Sequence, residues 1–556
     1  MSNDHDMSNS HEKLFYQIKK VILYMNSNKQ DDQDKTINKK TNKKINKTVR
    51  GNVPVNILVA IIYIVSLFFF VVCYWSKKAF NVQFNDIVIT LTSPIEGAGD
   101  AVFAKAFSYC LPRIFLGLAV PAVIQVAFVL IKKKFGTGHD DNISENSAMK
   151  RLKITRRILW SLSPILLALT VLYINKCYRI TDYIIARNSD SSLYEQNYVN
   201  PHSVSISPEG ATKNLIYIYL ESMENTYASV EDGGSHDVNY IPNLTRLANE
   251  NVSFSQKDKL GGFYANYGAT WTLGAMYTTM SGVPYNLPLE GNTPPDNGEF
   301  ASGLITIGQV LKEKGYHNEF LCGSDAKFAG RKLFLNKHGK YEIYDYYKAI
   351  KNGVIDKGYK HWWGFEDFIL YRIAKDELTR LYEEGEPFNL TMLTVDTHYP
   401  DGYVCELCED IYPNMTGNVV LCADKQINEF IEWCKEQPFY KDTVIVITGD
   451  HPRMDTQLVD GIDPVNRTVY NCIINGIDVD HDITRNRLFE SYDIFPTTLA
   501  AMGYTIEGNR LGIGTNMYSG NKTLLEQYGD IMYLEGELAK GSDYYVNEFA
   551  PELKSN

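Results

Sequence analysis

A P-loop is absent from this sequence, which argues against Walker-type nucleotide hydrolysis. Zinc-finger spacing of Cys and His is absent as well, which removes that route to nucleic acid. No charged residue of either sign occurs in residues 53–75. No acidic residue occurs in residues 35–50, which carry seven basic ones. The amino terminus also lacks the layout of a cleavable signal peptide, because a polar arm of about 50 residues precedes the first apolar run. The nine cysteines follow no regular framework, and Cys73, Cys110 and Cys177 lie in or beside apolar runs.

What is present is unevenly spread. The net charge of -11 describes the 556 residues poorly, since lysines crowd the beginning and carboxylates dominate the rest. Three long apolar runs fall in the first third: residues 53–75, 114–131 and 158–175. A helix needs about 20 apolar residues to cross a bilayer, so these runs predict three transmembrane spans. Burial in a soluble core is the competing reading for the two shorter runs, which contain Pro121 and Pro164. Lysine and arginine placement sets orientation. Residues 35–50 and 132–157 carry seven and eight basic residues, which assigns both to the cytoplasm and everything after residue 176 to the outside. A basic stretch beside apolar runs is a topology signal, and no nucleic-acid partner is expected. Residues 12–25 have the pattern of an amphipathic helix on the inner membrane surface, or equally of a solvated one.

The expected organisation is therefore a basic, largely disordered cytoplasmic arm (1–52) and a membrane anchor (53–176). A linker (177–204), an outer catalytic domain (205–525) and a tail (526–556) of unassigned role follow. In the outer domain, LIYIYL (215–220), FNLTMLTV (388–395) and TVIVIT (443–448) read as buried strands. Helical stretches such as 241–250 and 424–435 lie between them. Strands alternating with helices imply an α/β fold with a largely parallel sheet. In such sheets, sites gather at the carboxyl ends of the strands.

The polar residues at those ends are Glu221, His398, Asp450 and His451. Singly, each is commonly a cap, a turn residue or a structural histidine. Together they bring two carboxylates and two imidazoles to one sheet edge, a donor set suited to a metal and a phosphate. The stretch 261–284 adds hydroxyls, and a metal that lowers the pKa of a hydroxyl makes it a nucleophile. Spacing alone leaves Thr270, Thr272, Thr278 and Thr279 open.

The order of LES (220–222), a Thr segment ending in GVP (282–284), a GxxxxFxxR-like segment, THYP (397–400) and DH (450–451) resembles the alkaline phosphatase-like superfamily. More narrowly, it is similar to the membrane sulfatase-fold transferases that include lipoteichoic acid synthases and phosphoglycerol transferases. The resemblance covers roughly residues 205–520. In that family the nucleophilic Thr stands ten residues before the Gly of a Gly-hydrophobic-Pro, which here is Gly282 and selects Thr272. The Trp in ATWTLGAM and the segments 322–345, 394–402 and 508–520 look closer to the phosphoglycerol transferase I-like branch that modifies glucans. Pro452 and Arg453 after the DH pair depart from the family, where small or polar residues are commoner. The sulfatase signature CxPxR or SxPxR is missing at Thr272, which speaks against sulfate ester hydrolysis.

The resemblance implies an extracytoplasmic enzyme of the cell membrane, with one divalent metal held by Glu221, Thr272, Asp450 and His451. Oxygen and imidazole donors suit Mn²⁺ best, then Zn²⁺, with Mg²⁺ less natural. Thr272 would attack a lipid headgroup phosphorus. His398 would bind the phosphoryl oxygens or protonate the leaving group, Arg331 would contact phosphate or glycerol, and Asp325 a headgroup hydroxyl. The implied donor is phosphatidylglycerol in the bilayer; the acceptor would be a glycan, a polymer or a glycolipid, chosen by loops such as 285–300 and 401–420. Phosphoethanolamine transfer, hydrolysis and an inactive membrane scaffold are the alternatives. Cys405, Cys408 and Cys422 form a local cluster. A disulfide from Cys422 to Cys405 or Cys408 suits the compartment, and a three-cysteine zinc site is the alternative.

Overall fold

In a computed structural model, residues 35–80, 84–85, 87–88, 101–135, 146–288 and 298–554 are described. The expected amphipathic helix at 12–25 and part of the 285–300 loop lie outside the described residues. Three long helices come first: α1 (Lys35–Ala79), α2 (Ala101–Phe135) and α3 (Asn146–Tyr178). Each contains a stretch long and apolar enough to span a membrane: Ile57–Ala79, Ala104–Ile124 and Arg157–Tyr178. Only 22%, 11% and 11% of these stretches is buried, which sets aside the core-helix reading. Large apolar side chains such as Phe115, Leu116 and Leu172 point outward, as lipid-facing residues do. Two boundaries differ from the sequence reading. α1 begins at Lys35, inside the stretch expected as a disordered arm, and α2 begins at Ala101, well before residue 114.

The chain divides into two compact units. One comprises Met1–Phe68 and Gly117–Leu169; the other comprises Phe69–Leu116 and Thr170–Asn556. The second holds a six-stranded sheet. Its strands are β1 (Asn214–Leu220), β2 (His317–Cys322), β3 (Glu342–Tyr344), β4 (Phe388–Leu393), β5 (Thr443–Gly449) and β6 (Asn471–Ile474). The order is β3-β2-β4-β1-β5-β6, parallel throughout except for the antiparallel pair β5–β6. All three strands expected from the sequence are present, and β1 sits between the other two.

β1 is buried along nearly its whole length, which is why its sequence is a continuous apolar run instead of an alternation. Leu215, Tyr217 and Tyr219 enter one core, while Ile216, Ile218 and Leu220 enter the other. Helices cover both faces. On the second face lie α4 (Pro242–Glu250), α7 (Asp367–Glu384) and α8 (Met415–Lys435). On the first lie α5 (Thr272–Ser281), α6 (Arg331–Lys337) and α9 (Ile494–Ala501). The tail joins this face through α10 (Ile531–Leu538) and α11 (Asp543–Phe549). Leu534, Leu538, Tyr545 and Phe549 are at most 1% exposed, so the tail is part of the core. Truncating a buried Phe such as Phe549 to Ala costs about 3–5 kcal/mol.

The considered disulfide is not formed. All nine cysteines are free, and Cys405 Sγ stands 3.7 Å from both Cys408 Sγ and Cys422 Sγ.

Candidate active site

The parallel register aligns the ends of β1 and β5, pairing Leu220 with Gly449. The next residues, Glu221 and Asp450, therefore leave the sheet side by side. Glu221, Asp450 and His451 are at most 2% exposed. One ligand atom from each lies within 4.8 Å of the others. His451 Nε2 is 3.3 Å from Asp450 Oδ2 and 3.8 Å from Glu221 Oε1.

Thr272 is the first residue of α5. Its Oγ1 lies 3.5 Å from Glu221 Oε2 and 3.4 Å from His451 Nε2. The positive end of the helix dipole favours negative charge at this position. The other threonines of the helix are engaged by its own backbone. Thr278 Oγ1 donates to the Gly274 carbonyl at 2.8 Å, and Thr279 Oγ1 to the Ala275 carbonyl at 2.8 Å. The ten-residue spacing from Thr272 to Gly282 is the length of this helix. Gly282 ends it in the left-handed region at φ 69°, and a Cβ there would stand 2.7 Å from the Leu511 carbonyl.

The polar groups around the carboxylates hold them in place. Ser222, at φ 53°, donates its N–H to Asp450 Oδ1 at 2.7 Å and its hydroxyl to Glu221 Oε1 at 2.6 Å. Asp450 Oδ1 also accepts from the His451 N–H at 2.8 Å. The Glu221 N–H donates to Thr394 Oγ1 at 2.9 Å, and the Thr397 hydroxyl to the Glu221 carbonyl at 2.5 Å. Asp450 Oδ2 is buried with no hydrogen-bond donor among the described residues. Burial, then the charge of Glu221, pushes Asp450 up to about 7. Two crowded carboxylates with an orphaned oxygen are unfavourable unless a cation joins them. His451 Nδ1 is 2.9 Å from the Pro452 carbonyl, which assigns the proton to Nδ1 and the lone pair to Nε2. This donor set fits a divalent metal.

His398 follows β4 in the 394–398 loop. That loop is clamped by Asp367, whose carboxylate accepts from the N–H groups of Val395 and Asp396 at 2.8 and 3.0 Å. His398 Nδ1 faces the Tyr399 carbonyl at 2.7 Å, and Trp363 packs edge-on at 4.5 Å between ring centres. Burial depresses its pKa to about 4. Arg453, the departure noted in the sequence, is fully buried and ties the two loops together. Its Nη1 donates to the Thr397 carbonyl at 2.9 Å, and Nε and Nη2 bind both oxygens of Asp455 at 2.5 and 2.8 Å.

Asp325 and Arg331 follow β2, on the same sheet edge. Arg331 Nη2 donates to Ser324 Oγ at 3.0 Å and to the Asp325 carbonyl at 2.9 Å. Nε bonds the Phe328 carbonyl at 3.3 Å. Arg331 thus braces its own loop, and Nη1 makes no hydrogen bond among the described residues. Asp325 Oδ1 accepts from the Lys327 N–H at 2.8 Å. A Cβ on Gly330 would come 3.9 Å from Leu273, the residue after Thr272, so this loop borders α5.

The end of α1 meets the catalytic loops. Thr456 N–H donates to the Ala79 carbonyl at 3.2 Å, and Phe80 packs edge-on against Tyr399 at 5.4 Å. A cavity of about 250 Å³ lies here, lined by Trp75, Lys78, Phe80, Lys105, Asp401 and Asp455 among others. It adjoins the His398 and Arg453 loops and does not include Thr272. Ser222, Thr394 and Thr397 lie inside motifs quoted from the sequence (220–222, 394–402 and 397–400), which assigned them no role of their own.

The Sulfatase family model matches residues 213–504. Phosphoglycerol transferase I of Salmonella choleraesuis (strain SC-B67) is 31% identical over 453 residues, covering 78% of this chain and 53% of that protein. Its counterpart in Salmonella typhimurium is 32% identical over 385 residues, covering 67% and 45%. The chain thus spans about half the length of the curated relatives it matches. Among solved structures, a lipoteichoic acid synthase from Listeria monocytogenes is 18% identical with a TM-score of 0.44, covering 57% of this chain and 79% of that one. The expected alkaline phosphatase-like α/β fold is met, and with more than half of its residues inside the match, the chain belongs to the Sulfatase family of the alkaline phosphatase superfamily.

Proposed function

We propose that this chain is a membrane-bound phosphoglycerol transferase. It moves glycerophosphate from phosphatidylglycerol to an extracytoplasmic hydroxyl on a glycan, a polymer or a glycolipid, through an ester on Thr272. One observation carries the reading: the Thr272 hydroxyl stands at a helix amino terminus within 3.5 Å of both Glu221 and His451. The similarity to phosphoglycerol transferase I of Salmonella supports the headgroup assignment.

Glu221, Asp450, His451 Nε2 and Thr272 Oγ1 would hold one divalent ion, with Mn²⁺ the best suited to this donor set. When bound, the ion supplies charge that lowers the threonine pKa and neutralises phosphoryl oxygens. Thr272 loses its proton to solvent, and its oxygen bonds to phosphorus as the bond from phosphorus to the diacylglycerol oxygen breaks. His398 is neutral in the free enzyme, and the anionic phosphodiester favours its protonated form. It gives that proton to the leaving diacylglycerol oxygen. The acceptor hydroxyl then returns a proton to His398 and displaces Thr272 from phosphorus. Arg331 Nη1 and Asp325 would contact the headgroup. A lipid donor leaves the bilayer at a cost of about 0.8 kcal/mol per CH₂, so a site at the end of a span shortens its path.

The test is incubation of the purified full chain with vesicles containing labelled phosphatidylglycerol and Mn²⁺. Diacylglycerol release and a glycerophosphate adduct on Thr272 are expected. A phosphoethanolamine adduct from mixed vesicles moves the protein to the neighbouring transferase class. Free glycerophosphate with any acceptor present marks a hydrolase, and no turnover or bound metal marks a scaffold.

A further inference from the structure

The phosphotransfer site leaves a second cluster unused. Cys405 and Cys408 lie in the loop after His398, and Cys422 lies on α8. Cys405 and Cys422 are buried and Cys408 is half-buried. The three sulfurs lie within 4.8 Å of one another, and two of the separations are 3.7 Å. A disulfide requires about 2.05 Å and leaves one of three thiols over. A tetrahedral zinc thiolate with Zn–S of about 2.3 Å has an S···S edge of about 3.8 Å. The observed separations match that edge.

The local geometry suits a shared ion. Two cysteines separated by two residues can share one tetrahedral zinc, and the Cys408 N–H donates to the Cys405 carbonyl at 3.1 Å, closing the turn. Gln426 Nε2 lies 3.2 Å from Cys422 Sγ and 3.8 Å from Cys405 Sγ. The other amide atom, Oε1, is buried with no partner among the described residues, and Gln426 is only 6% exposed.

We propose that Cys405, Cys408 and Cys422 bind one Zn²⁺ as three thiolates, with a solvent molecule or the Gln426 amide oxygen at the fourth corner. The ion is separate from the catalytic one and pins the loop after His398 to α8. Soft sulfur donors select Zn²⁺ over the Mn²⁺ suited to the first site.

The full-length protein is purified, exposed to Zn²⁺, desalted and assayed for metal by mass spectrometry. About one zinc equivalent should remain in His451→Ala, whose catalytic site is damaged, and be lost in Cys408→Ser. Because a cysteine variant can misfold, unmodified protein is also titrated with a mercurial thiol reagent. Zinc should appear in a chromogenic chelator in step with modification of three thiols. Co²⁺-loaded protein should show thiolate-to-cobalt charge-transfer absorption, which His451→Ala retains. A protein two hydrogens lighter, with Cys422 linked to Cys405 or Cys408 and no zinc released, overturns the proposal. So do free thiols that release none. Either result leaves the phosphotransfer reading untouched, because diacylglycerol release by the same preparation is scored separately.

Discussion

Two buried clusters sit at different depths of architecture in this chain, and their donors differ in kind. Glu221, Asp450 and His451 offer oxygen and imidazole, and they are placed by strand ends whose register the sheet sets. Cys405, Cys408 and Cys422 offer sulfur, and they are placed by a loop folding onto a helix. The first cluster has a hydroxyl, Thr272, within 3.5 Å. In the second the sulfurs would themselves be the ligands, and no hydroxyl bonds them among the described contacts. The comparison teaches that two clusters with similar convergence of ligands can differ in what stands beside them: a hydroxyl faces the first alone among the described contacts.

The sharpest way to test that contrast is to remove the hydroxyl. Thr272→Ala should lower diacylglycerol release roughly 10⁴-fold or more, while cysteine-bound zinc stays unchanged. Retained activity would erase the distinction between the clusters. Next in size is Arg453→Met, which leaves buried Asp455 unpaired and the Thr397 carbonyl without its donor. It should destabilise the protein by about 3–5 kcal/mol, read by denaturant melts. A much smaller effect would mean the two catalytic loops are braced otherwise. His398→Gln should slow turnover by about 10²–10⁴-fold and remove a limb of the pH profile, with metal content intact in both clusters.

The smallest effect is a pH dependence of stability. In chelated protein Asp450 titrates near 7 instead of near 3.8. The folded state therefore holds more protons than the unfolded state between these values. Stability from this group is fully present below the lower value and is lost as pH rises through about 7. Chelated Asp450→Asn should melt like chelated wild type at pH about 4 and above it at pH about 8. Divalent metal should reverse the order at the higher pH. Parallel melting curves in chelator would sink the account of the carboxylate pair.

Much of the first cluster was readable because Glu221, Asp450 and His451 directly follow apolar runs that could only be strands. Thr272 was not separable from its neighbours by spacing. The family pattern chose it; in the helix, Thr278 and Thr279 give their hydroxyls to backbone carbonyls. Ser222, Thr394 and Thr397 fall inside quoted motifs, but their roles were not legible, because a polar residue beside a strand end looks the same whether or not it bonds a neighbouring loop. Arg453 stood out as a departure, yet its partners, Thr397 and Asp455, show only in three dimensions. The tail was left without a role because α10 and α11 are short, with 8 and 7 residues. Too few apolar positions recur in such helices for periodicity to declare a buried face.

The sequence by itself determined the three apolar spans, the α/β alternation and the strand-end carboxylates, because each is a property of neighbouring residues and of hydrophobic burial. Only the tertiary structure decided that Thr272 meets Glu221 and His451, that Arg453 joins two loops, and that three thiols share one point. Those contacts link residues up to hundreds of positions apart, and strand register and helix packing bring them together.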